Sequence, residues 1–339
     1  MKAFVIEEPN KVVMKDVDIP EIGPEEVLMK TLASGICHSD YDLIEGDYIL
    51  PLHFPIIPGH EFCGEVVKTG DNVKNVKVGD RVVGECNIGC GVCPICQEIA
   101  GFCPDANHFG FTQDGSDQEY FKANGDWLHI VPDDMDNKTA AMVEPFSIAY
   151  KGIRESGGVE GSDVCVIYGG GSVGASAVAT SHAMGAFTIV VEPIEFKREI
   201  CKKMGADLAL DPTSQNIEEE VNKVSGGLGA DLVVECSGNS RAMTQTLDVV
   251  RNGGRVVFIG INFQKDIPVE LGKFQAKGIH AMGSNGSPGV WDRCIRFISQ
   301  MNIDLSPINT HTFDFKDTAK AFEFAKDPKN QAVKVIMTF

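Results

Sequence analysis

Three side chains of the kinds that bind zinc stand in the first part of the sequence. Cys37, His60 and Glu61 offer a thiol, an imidazole and a carboxylate, and proteins use all three donors for this ion. Cys37 lies far from the other two along the chain, so only the fold could bring them to one metal. The alternative is that Cys37 and His60 are ordinary core and turn residues.

A second group of candidate ligands is closely spaced. Cys90, Cys93 and Cys96 are each separated by two residues, and Cys103 follows them. Four thiolates on a short loop make a closed tetrahedral zinc site that leaves no position for a substrate. The binding energy of such a site goes into folding.

A glycine pattern of a different kind follows in the middle of the chain. Its Gly-x-Gly-x-x-Gly spacing allows a tight turn, close approach of the backbone to a pyrophosphate, and close packing of helix on strand. An acidic residue at the end of the next apolar run is placed to bind an adenosine ribose and to repel a 2′-phosphate, which favours NAD. The residues expected to bind the dinucleotide here are Gly169, Gly171, Ser172, Val173, Gly174 and Glu192.

The elements that must position these residues fall into two patterns. From residue 163 to about 283, short β-rich runs alternate with amphipathic stretches, which predicts a doubly wound parallel sheet of the Rossmann type. The first 150 residues are instead β-rich, with a turn-like stretch at residues 37–40 and two strands after residue 60.

Composition limits the possible functions. The net charge of −18 leaves no broad basic face for nucleic acid or anionic lipid, and no apolar run is long enough to cross a bilayer. The 11 cysteines are an odd number in a long chain with no visible secretion signal, so reduced thiols and metal are favoured over disulfides. We expect a cytoplasmic protein without nucleic-acid or membrane partners.

Together, these motifs are similar to those of the zinc-dependent medium-chain alcohol dehydrogenase superfamily, in the branch of sorbitol, butanediol and threonine dehydrogenases. The similarity runs along the whole chain. It is carried by GICHSD, by Gly59-His60-Glu61 with Gly64, Gly70 and Val73, and by KVGDRV, the cysteine cluster, the glycine pattern, DLVVECSG and GGRVVFIG.

The resemblance implies two domains. Residues 152–284 would form the Rossmann NAD-binding domain. Residues 1–151 and 285–339 would form a β-rich, GroES-like catalytic domain from both chain ends, with a structural zinc lobe at about 86–104. The strand near Ile279 lies where family members pair subunits, which implies a homodimer or homotetramer.

The resemblance also implies roles around a catalytic zinc. Cys37 and His60 would be ligands, Glu144 would be the further ligand of the polyol branch, and Glu61 is another possible ligand. Asp40 would orient the His60 imidazole by a hydrogen bond. The alternative for Glu144 is a charge that favours the start of a helix.

Three further residues take roles from the same resemblance. Ser39 would relay the alcohol proton away from the metal, although a turn serine can simply cap a local amide. His38 would contact cofactor phosphate or extend the relay. Cys103 would close the structural zinc site, but six residues separate it from Cys96 where seven are usual. The sequence therefore leaves open whether Cys86 competes or the lobe lacks metal.

The function implied is oxidation of a secondary alcohol, in a polyol or sugar alcohol, to a ketone by hydride transfer to NAD with zinc as Lewis acid. Butanediol or threonine as substrate is the alternative within the family, because the segment GSNGSPGVW lacks the Arg and aromatic residues that many polyol enzymes carry there. A zinc-free double-bond reductase is disfavoured because it would lack Cys37 and the His60-Glu61 pair. A non-catalytic nucleotide-binding protein would lack a complete ligand set or Ser39.

Overall fold

The computed structural model describes residues 1–48, 52–98, 102–262 and 266–339. The chain forms two compact units. The first contains Met1–Glu144, Gly286–Arg296 and Asn309–Phe339, and the second contains Pro145–Asn285 and Phe297–Ile308. Within the described ranges, none of the helices combines the length and apolar character that crossing a bilayer requires.

The strands, in chain order, are β1 (Lys2–Glu8), β2 (Lys11–Asp16), β3 (Glu26–Gly35), β4 (Glu61–Thr69), β5 (Arg81–Gly84), β6 (Asn87–Ile88), β7 (Asn107–His108), β8 (Tyr120–Asn124), β9 (Leu128–Ile130), β10 (Val164–Tyr168), β11 (Phe187–Val191), β12 (Leu208–Leu210), β13 (Ala230–Glu235), β14 (Val250–Phe258), β15 (His280–Gly283), β16 (Asn309–Asp314) and β17 (Lys334–Thr338). The α-helices are α1 (His38–Glu45), α2 (Pro94–Glu98), α3 (Asn137–Ala141), α4 (Val143–Glu155), α5 (Ser172–Ala183), α6 (Glu195–Lys203), α7 (Ile217–Val224), α8 (Ser240–Val249), α9 (Leu271–Lys277), α10 (Trp291–Gln300) and α11 (Thr318–Lys326).

The first unit is built on a seven-stranded sheet in the order β16-β17-β3-β4-β5-β9, with β8 also paired to β3. The C-terminal strand β17 pairs antiparallel with β3 near the N-terminus. The β-rich domain is therefore assembled from both chain ends, as expected. Its core includes three fully buried rings, Phe62, Phe109 and Phe121, that meet edge to face.

The second unit is a six-stranded parallel sheet in the order β12-β11-β10-β13-β14-β15. Its central strands are apolar on both faces because helices cover both, and Val166, Ile189 and Val233 are fully buried. Burying each such side chain stabilises the fold by about 1.5–3 kcal/mol. This architecture confirms the predicted Rossmann fold class.

Two details differ from the sequence expectations. The stretch after Cys37, predicted as a turn, is the first turn of α1, because the Asp40 carboxylate accepts a hydrogen bond from the Cys37 amide and caps the helix. The chain also divides inside α4 and α10, so residues 297–308 belong to the second unit. There the Phe297 ring packs 5.1 Å from Tyr150, and Ile298 is buried.

Candidate functional site

Antiparallel pairing of β3 with β4 brings Cys37, His60 and Glu61 together. β4 begins at Glu61, which is registered opposite Gly35 at the end of β3. Cys37 follows β3 and His60 precedes β4, so the two lie at the same edge of the sheet. One ligand atom from each of the three residues lies within 4.8 Å of the others. The structure thus brings these three predicted ligands together; their binding of metal stays a prediction.

Asp40 links two of these residues. One carboxylate oxygen, Oδ2, accepts from the Cys37 amide at 2.8 Å, and Oδ1 lies 3.4 Å from His60 Nδ1. Burial disfavours the charged imidazole, but the charges of Asp40 and Cys37 outweigh this and raise the His60 pKa well above its usual value. Asp40 therefore lies on the Nδ1 side of the ring, the side from which a carboxylate orients a histidine that binds metal through Nε2; this role of Asp40 stays a prediction.

The Glu61 carboxylate is engaged by a residue that sequence reasoning missed. Lys334, the first residue of β17, donates to Glu61 Oε1 at 2.7 Å, lies 2.6 Å from Oε2, and also donates to the Ile36 carbonyl at 2.8 Å. Both side chains are almost completely buried. The sequence offered one signal, a lysine inside the otherwise apolar run AVKVIM, but nothing that named its partner.

Glu144 lies outside the compact group of three but near it. It is buried in the first turn of α4, and Cys86 Sγ donates to its Oε1 at 3.3 Å. Burial raises the pKa of Glu144 to about 7; His60 opposes this rise and Glu61 adds to it. Glu144 therefore stands where an acidic side chain favours the start of a helix, and it is also close to the candidate ligands. Both interpretations of this residue remain open.

Aromatic rings stand beside the imidazole. Phe111 lies 5.0 Å from the His60 ring, and Tyr48 stacks on Phe111 at 4.5 Å. Burial raises the pKa of Tyr48 to about 12, and Cys86 and Cys37 contribute to the rise. These rings form an apolar wall beside the candidate ligands that no sequence spacing indicated.

Ser39 and His38 occupy the first turn of α1. The Ser39 hydroxyl donates to Cys37 Sγ at 3.3 Å, so it touches a candidate ligand. His38 is exposed, with its ring 6.1 Å from Tyr41. Their relay and phosphate-binding roles remain predictions.

The four cysteines of the second cluster do converge. One sulfur atom from each of Cys90, Cys93, Cys96 and Cys103 lies within 4.8 Å of the others. The Cys93 and Cys96 amides point at the sulfur three residues earlier, each at 3.4 Å, and the Cys90 amide points at Cys103 Sγ at 3.3 Å. Amide hydrogen bonds lower the Cys90 pKa to about 7, which favours a thiolate there. The short spacing between Cys96 and Cys103 therefore still allows Cys103 to join the cluster of four sulfurs. Cys86 is not in that cluster and lies beside Glu144.

The glycine pattern forms the predicted strand, turn and helix. Gly169 follows β10 with φ 96°, and a Cβ there would press on Ser237. Gly171 is the residue before α5 and has no heavy atom within 4 Å of an added Cβ, so its face is open. Gly174 packs so closely that a Cβ would overlap the Gly169 carbonyl. Ser172 and Val173 begin α5 beneath this loop.

Glu192 directly follows β11 and is held against the glycine loop. Its carboxylate accepts from the Gly170 amide at 2.6 Å and from the Ile194 amide at 2.9 Å. Arg198, which could soften a repulsion of phosphate, donates instead to the Glu192 backbone carbonyl at 2.7 Å and lies 3.6 Å from Asp211. The negative charge at this strand end is therefore fixed in place.

Comparison with known proteins places this geometry in a family. The family described as "Alcohol dehydrogenase GroES-like domain" matches residues 23–133, and "Zinc-binding dehydrogenase" matches residues 172–300. Sorbitol dehydrogenase of Bacillus subtilis is 32% identical over 344 residues, covering 99% of this chain and 97% of the relative. L-threonine 3-dehydrogenase of Thermococcus kodakarensis is 32% identical over 328 residues, covering 94% and 92%.

Solved structures agree with the sequence matches. A zinc-binding dehydrogenase from Sinorhizobium meliloti bound to NADP superposes with a TM-score of 0.93 at 28% identity, covering 100% of this chain and 99% of the other. The similarity spans both units, and the sorbitol and L-threonine 3-dehydrogenases match this chain over nearly their full length. The chain therefore belongs to the zinc-dependent medium-chain alcohol dehydrogenase superfamily.

Proposed function

We propose that this protein is a zinc- and NAD-dependent dehydrogenase that oxidises a secondary alcohol of a polyol or sugar alcohol to a ketone. The observation that carries the proposal is the convergence of Cys37, His60 and Glu61, with Glu144 beside them. Such a mixed set of thiol, imidazole and carboxylate is typical of a catalytic zinc site, which keeps one position open.

The donor set fits zinc on its own chemistry. Asp40 Oδ1 lies 3.4 Å from Nδ1 of the buried His60 imidazole, where it would orient the ring as a carboxylate usually does behind a metal-binding histidine. Cys37, His60 and a carboxylate, Glu144 or Glu61, would hold the ion. A bound zinc ion supplies Lewis acidity, which lowers the pKa of an alcohol. The four thiols at Cys90, Cys93, Cys96 and Cys103 fit a second, structural ion.

The protein's own groups would position the alcohol and move its proton. The Ser39 hydroxyl, which contacts Cys37 Sγ at 3.3 Å, would accept the alcohol proton and pass it on. His38 is the adjacent exposed base on the same helix turn and would deliver the proton to water. The Tyr48 and Phe111 rings would exclude water from one side of the substrate.

NAD is proposed as the hydride acceptor because of Glu192. Its carboxylate is positioned by two amides where it would accept hydrogen bonds from a ribose and repel a 2′-phosphate. The relative from Sinorhizobium meliloti binds NADP, so the choice between the two dinucleotides must come from this chain's own residues.

The substrate class rests on Glu144 and on the relatives. Sorbitol, D-arabitol-phosphate and L-galactonate dehydrogenases are among them, at 30–32% identity, and all act on polyhydroxylated substrates by name. L-threonine 3-dehydrogenases at 32% identity favour threonine as the second candidate.

An NAD-reduction screen across polyols, diols, threonine and hydroxy acids, with and without a zinc chelator, tests the proposal. We expect the rate to be highest on polyols and to fall on chelation. Strong activity on threonine alone would favour the second candidate. No response to any alcohol would refute the proposed function, and reduction of activated double bonds that survives chelation would indicate a zinc-free reductase.

We also infer a cytoplasmic homodimer or homotetramer. β15 is the edge strand of the six-stranded sheet and is largely exposed, and α9 beside it buries no residue. An open strand edge is a surface suited to pairing with a second copy. Light scattering should therefore give a mass of at least two chains, and a monomer would contradict this inference.

A further inference from the structure

A buried group of polar side chains lies against the loop that leads to His60, and the proposed function does not use it. Asp117, Ser34 and Ser116 are at most 1% exposed. The Ser34 hydroxyl donates to Asp117 Oδ1 at 2.6 Å and lies 2.9 Å from Ser116 Oγ. A hydroxyl has one proton, so Ser116 is the donor in the second bond when Ser34 donates to the carboxyl group. The three side chains therefore form one hydrogen-bonded chain, the Asp117 cluster, which ends at Asp117 Oδ1.

The loop before His60 packs directly on the Asp117 cluster. The amides of residues 115, 116 and 117 donate to the carbonyls of residues 57, 59 and 58 at 2.7, 2.9 and 3.0 Å. Gly59 has a φ of 100°, and a Cβ there would lie 2.5 Å from Asp117 Oδ1 and 2.7 Å from Ser116 Oγ. The main chain thus sets the path of the loop, and the cluster fills the space beneath Gly59.

The same carboxyl group also reaches the strand that leads to Cys37. Ser34 lies on β3, three residues before Cys37, and Gly59 directly precedes His60. Asp117 Oδ1 therefore meets both chain segments from which these two candidate ligands extend.

Keeping a carboxyl group in this place is costly. Burial, together with the charge of Asp40, raises the pKa of Asp117 to about 7, although Ser34 and His60 oppose the rise. An apolar side chain would fill the same space without the cost of removing a carboxyl group from water. Buried carboxyl groups perturbed in this way cluster at functional sites, which indicates a role for the contacts that Asp117 makes.

We propose that Asp117 is a positioning residue that sets the separation between Cys37 and His60. Its Oδ1 atom accepts from Ser34 on one side and lies against Gly59 on the other. This inference rests on the proposed function, because it concerns two ligands of the zinc ion that the function requires. Misplacing a group by about 1 Å is enough to lower a rate about 100-fold, so a side chain that joins both segments affects the metal site through them.

Four variants separate the hydrogen bond of Asp117 from its charge and from general stability. Asp117→Asn keeps the shape and an acceptor oxygen for Ser34 but removes the charge, whereas Asp117→Ala removes the acceptor. Ser34→Ala removes the donor, so it still tests the inference if Asp117→Ala fails to fold. Thr246→Val is the matched control, because it removes a fully buried hydroxyl that donates to the Met243 carbonyl at 2.7 Å in the second unit.

The test is ¹¹³Cd NMR of the cadmium-loaded protein, which needs no turnover. The mixed-ligand site, which contains Cys37 and His60, and the four-cysteine lobe differ in sulfur content, so they give separate resonances, and the lobe serves as an internal reference. We expect Asp117→Ala and Ser34→Ala to shift the mixed-ligand resonance, and Asp117→Asn and Thr246→Val to keep it at the wild-type position. A merely structural role would lower the melting temperature of the alanine variants and leave the resonance in place.

Metal release to a chelator gives a second readout. We expect release from the mixed-ligand site to be about 10- to 100-fold faster in Asp117→Ala, the range usual when a residue that orients a ligand is lost. If Asp117 acts through Ser34, the double variant Ser34→Ala/Asp117→Ala should release the metal no faster than Asp117→Ala alone. Effects that multiply in the double variant would show that the two residues act independently and would overturn the proposed contact.

The outcomes separate this inference from the function. A mixed-ligand resonance that stays in place in both alanine variants would overturn the role of Asp117 and leave the proposed function standing. A shift in Asp117→Asn as large as that in Asp117→Ala would also overturn it, because the charge and not the hydrogen bond to Ser34 would then act on the metal. An equal shift in Thr246→Val would overturn it as well, since the resonance would then report general stability. If the mixed-ligand resonance were missing in the wild type, the proposed function itself would fail.

Discussion

The proposed preference for NAD depends on the carboxylate of Glu192, so Glu192→Gln is the most informative single substitution. Glutamine keeps the size of the side chain and removes its charge. Because the Glu192 oxygens bind the Gly170 and Ile194 amides at 2.6 and 2.9 Å and the side chain is 5% exposed, the carboxylate is unable to swing away from an incoming 2′-phosphate.

The size of the effect follows from that geometry. A 2′-phosphate about 4 Å from the carboxylate would be repelled by roughly 4 kcal/mol per unit charge at an effective dielectric constant of 20. This corresponds to about a thousandfold preference for NAD over NADP. The glutamine amide can accept from only one of the two backbone amides, so the free energy of unfolding should also fall by about 1–3 kcal/mol.

The assay is the ratio of kcat/KM with NAD to that with NADP. We expect about 10³ in the wild type and within about tenfold of unity in Glu192→Gln. Glu195→Gln, on the exposed first turn of α6, is the matched control and should keep the wild-type ratio. A ratio unchanged by Glu192→Gln, or equally changed by the control, would refute the electrostatic explanation.

Three further predictions concern the glycine loop, the half-buried His129 and the cysteine lobe. Gly171→Ala should keep the wild-type melting temperature and weaken dinucleotide binding in a fluorescence titration. Gly174→Ala should lower the free energy of unfolding by about 1–3 kcal/mol or more, because its Cβ would overlap the Gly169 carbonyl. His129→Gln should lower the free energy of unfolding by about 1 kcal/mol below pH ~6.5, measured by urea titration, and the loss should vanish as the pH rises. Cys93→Ser should reduce the zinc content by about one ion per chain and lower the melting temperature.

The sign of the His129 prediction follows from its neighbours. His129 Nδ1 lies 2.7 Å from Asp292 and Nε2 3.7 Å from Glu85. Burial opposes protonation, but these carboxylates outweigh it and raise the pKa of His129. A raised pKa in the folded state stabilises the protein below the unfolded pKa, and the contribution disappears as the pH passes the folded value.

Each of these predictions has an outcome that would contradict it. Equal losses of stability in Gly171→Ala and Gly174→Ala would show that packing does not distinguish the two glycines. If the loss of stability in His129→Gln grew with pH, the charge assigned to His129 would be wrong. His53→Gln, at an exposed histidine, is the control. An unchanged zinc content in Cys93→Ser would remove the lobe as a metal site.

Local patterns were enough for the fold class and for most candidate residues. Alternating β-rich and amphipathic runs predicted the parallel sheet, because strand and helix periodicity are written in nearby residues. The cysteine spacing likewise predicted a lobe whose four sulfurs do converge. The sequence could not decide whether Cys86 or Cys103 would join that lobe, because their distance in space depends on the path of the loop.

What only the tertiary structure decided are the partners that come from distant strands. The sequence showed that Cys37, His60, Glu61 and Glu144 carry atoms able to bind a metal. The β17-β3-β4 register set Lys334 against Glu61, and the fold of the first unit brought Cys86 to Glu144. Side chains brought together by sheet pairing share no local spacing, since the register is fixed by the packing of whole strands. For that reason the kinds of ligand could be listed from the sequence, while the charge around each one could be assigned only in the folded protein.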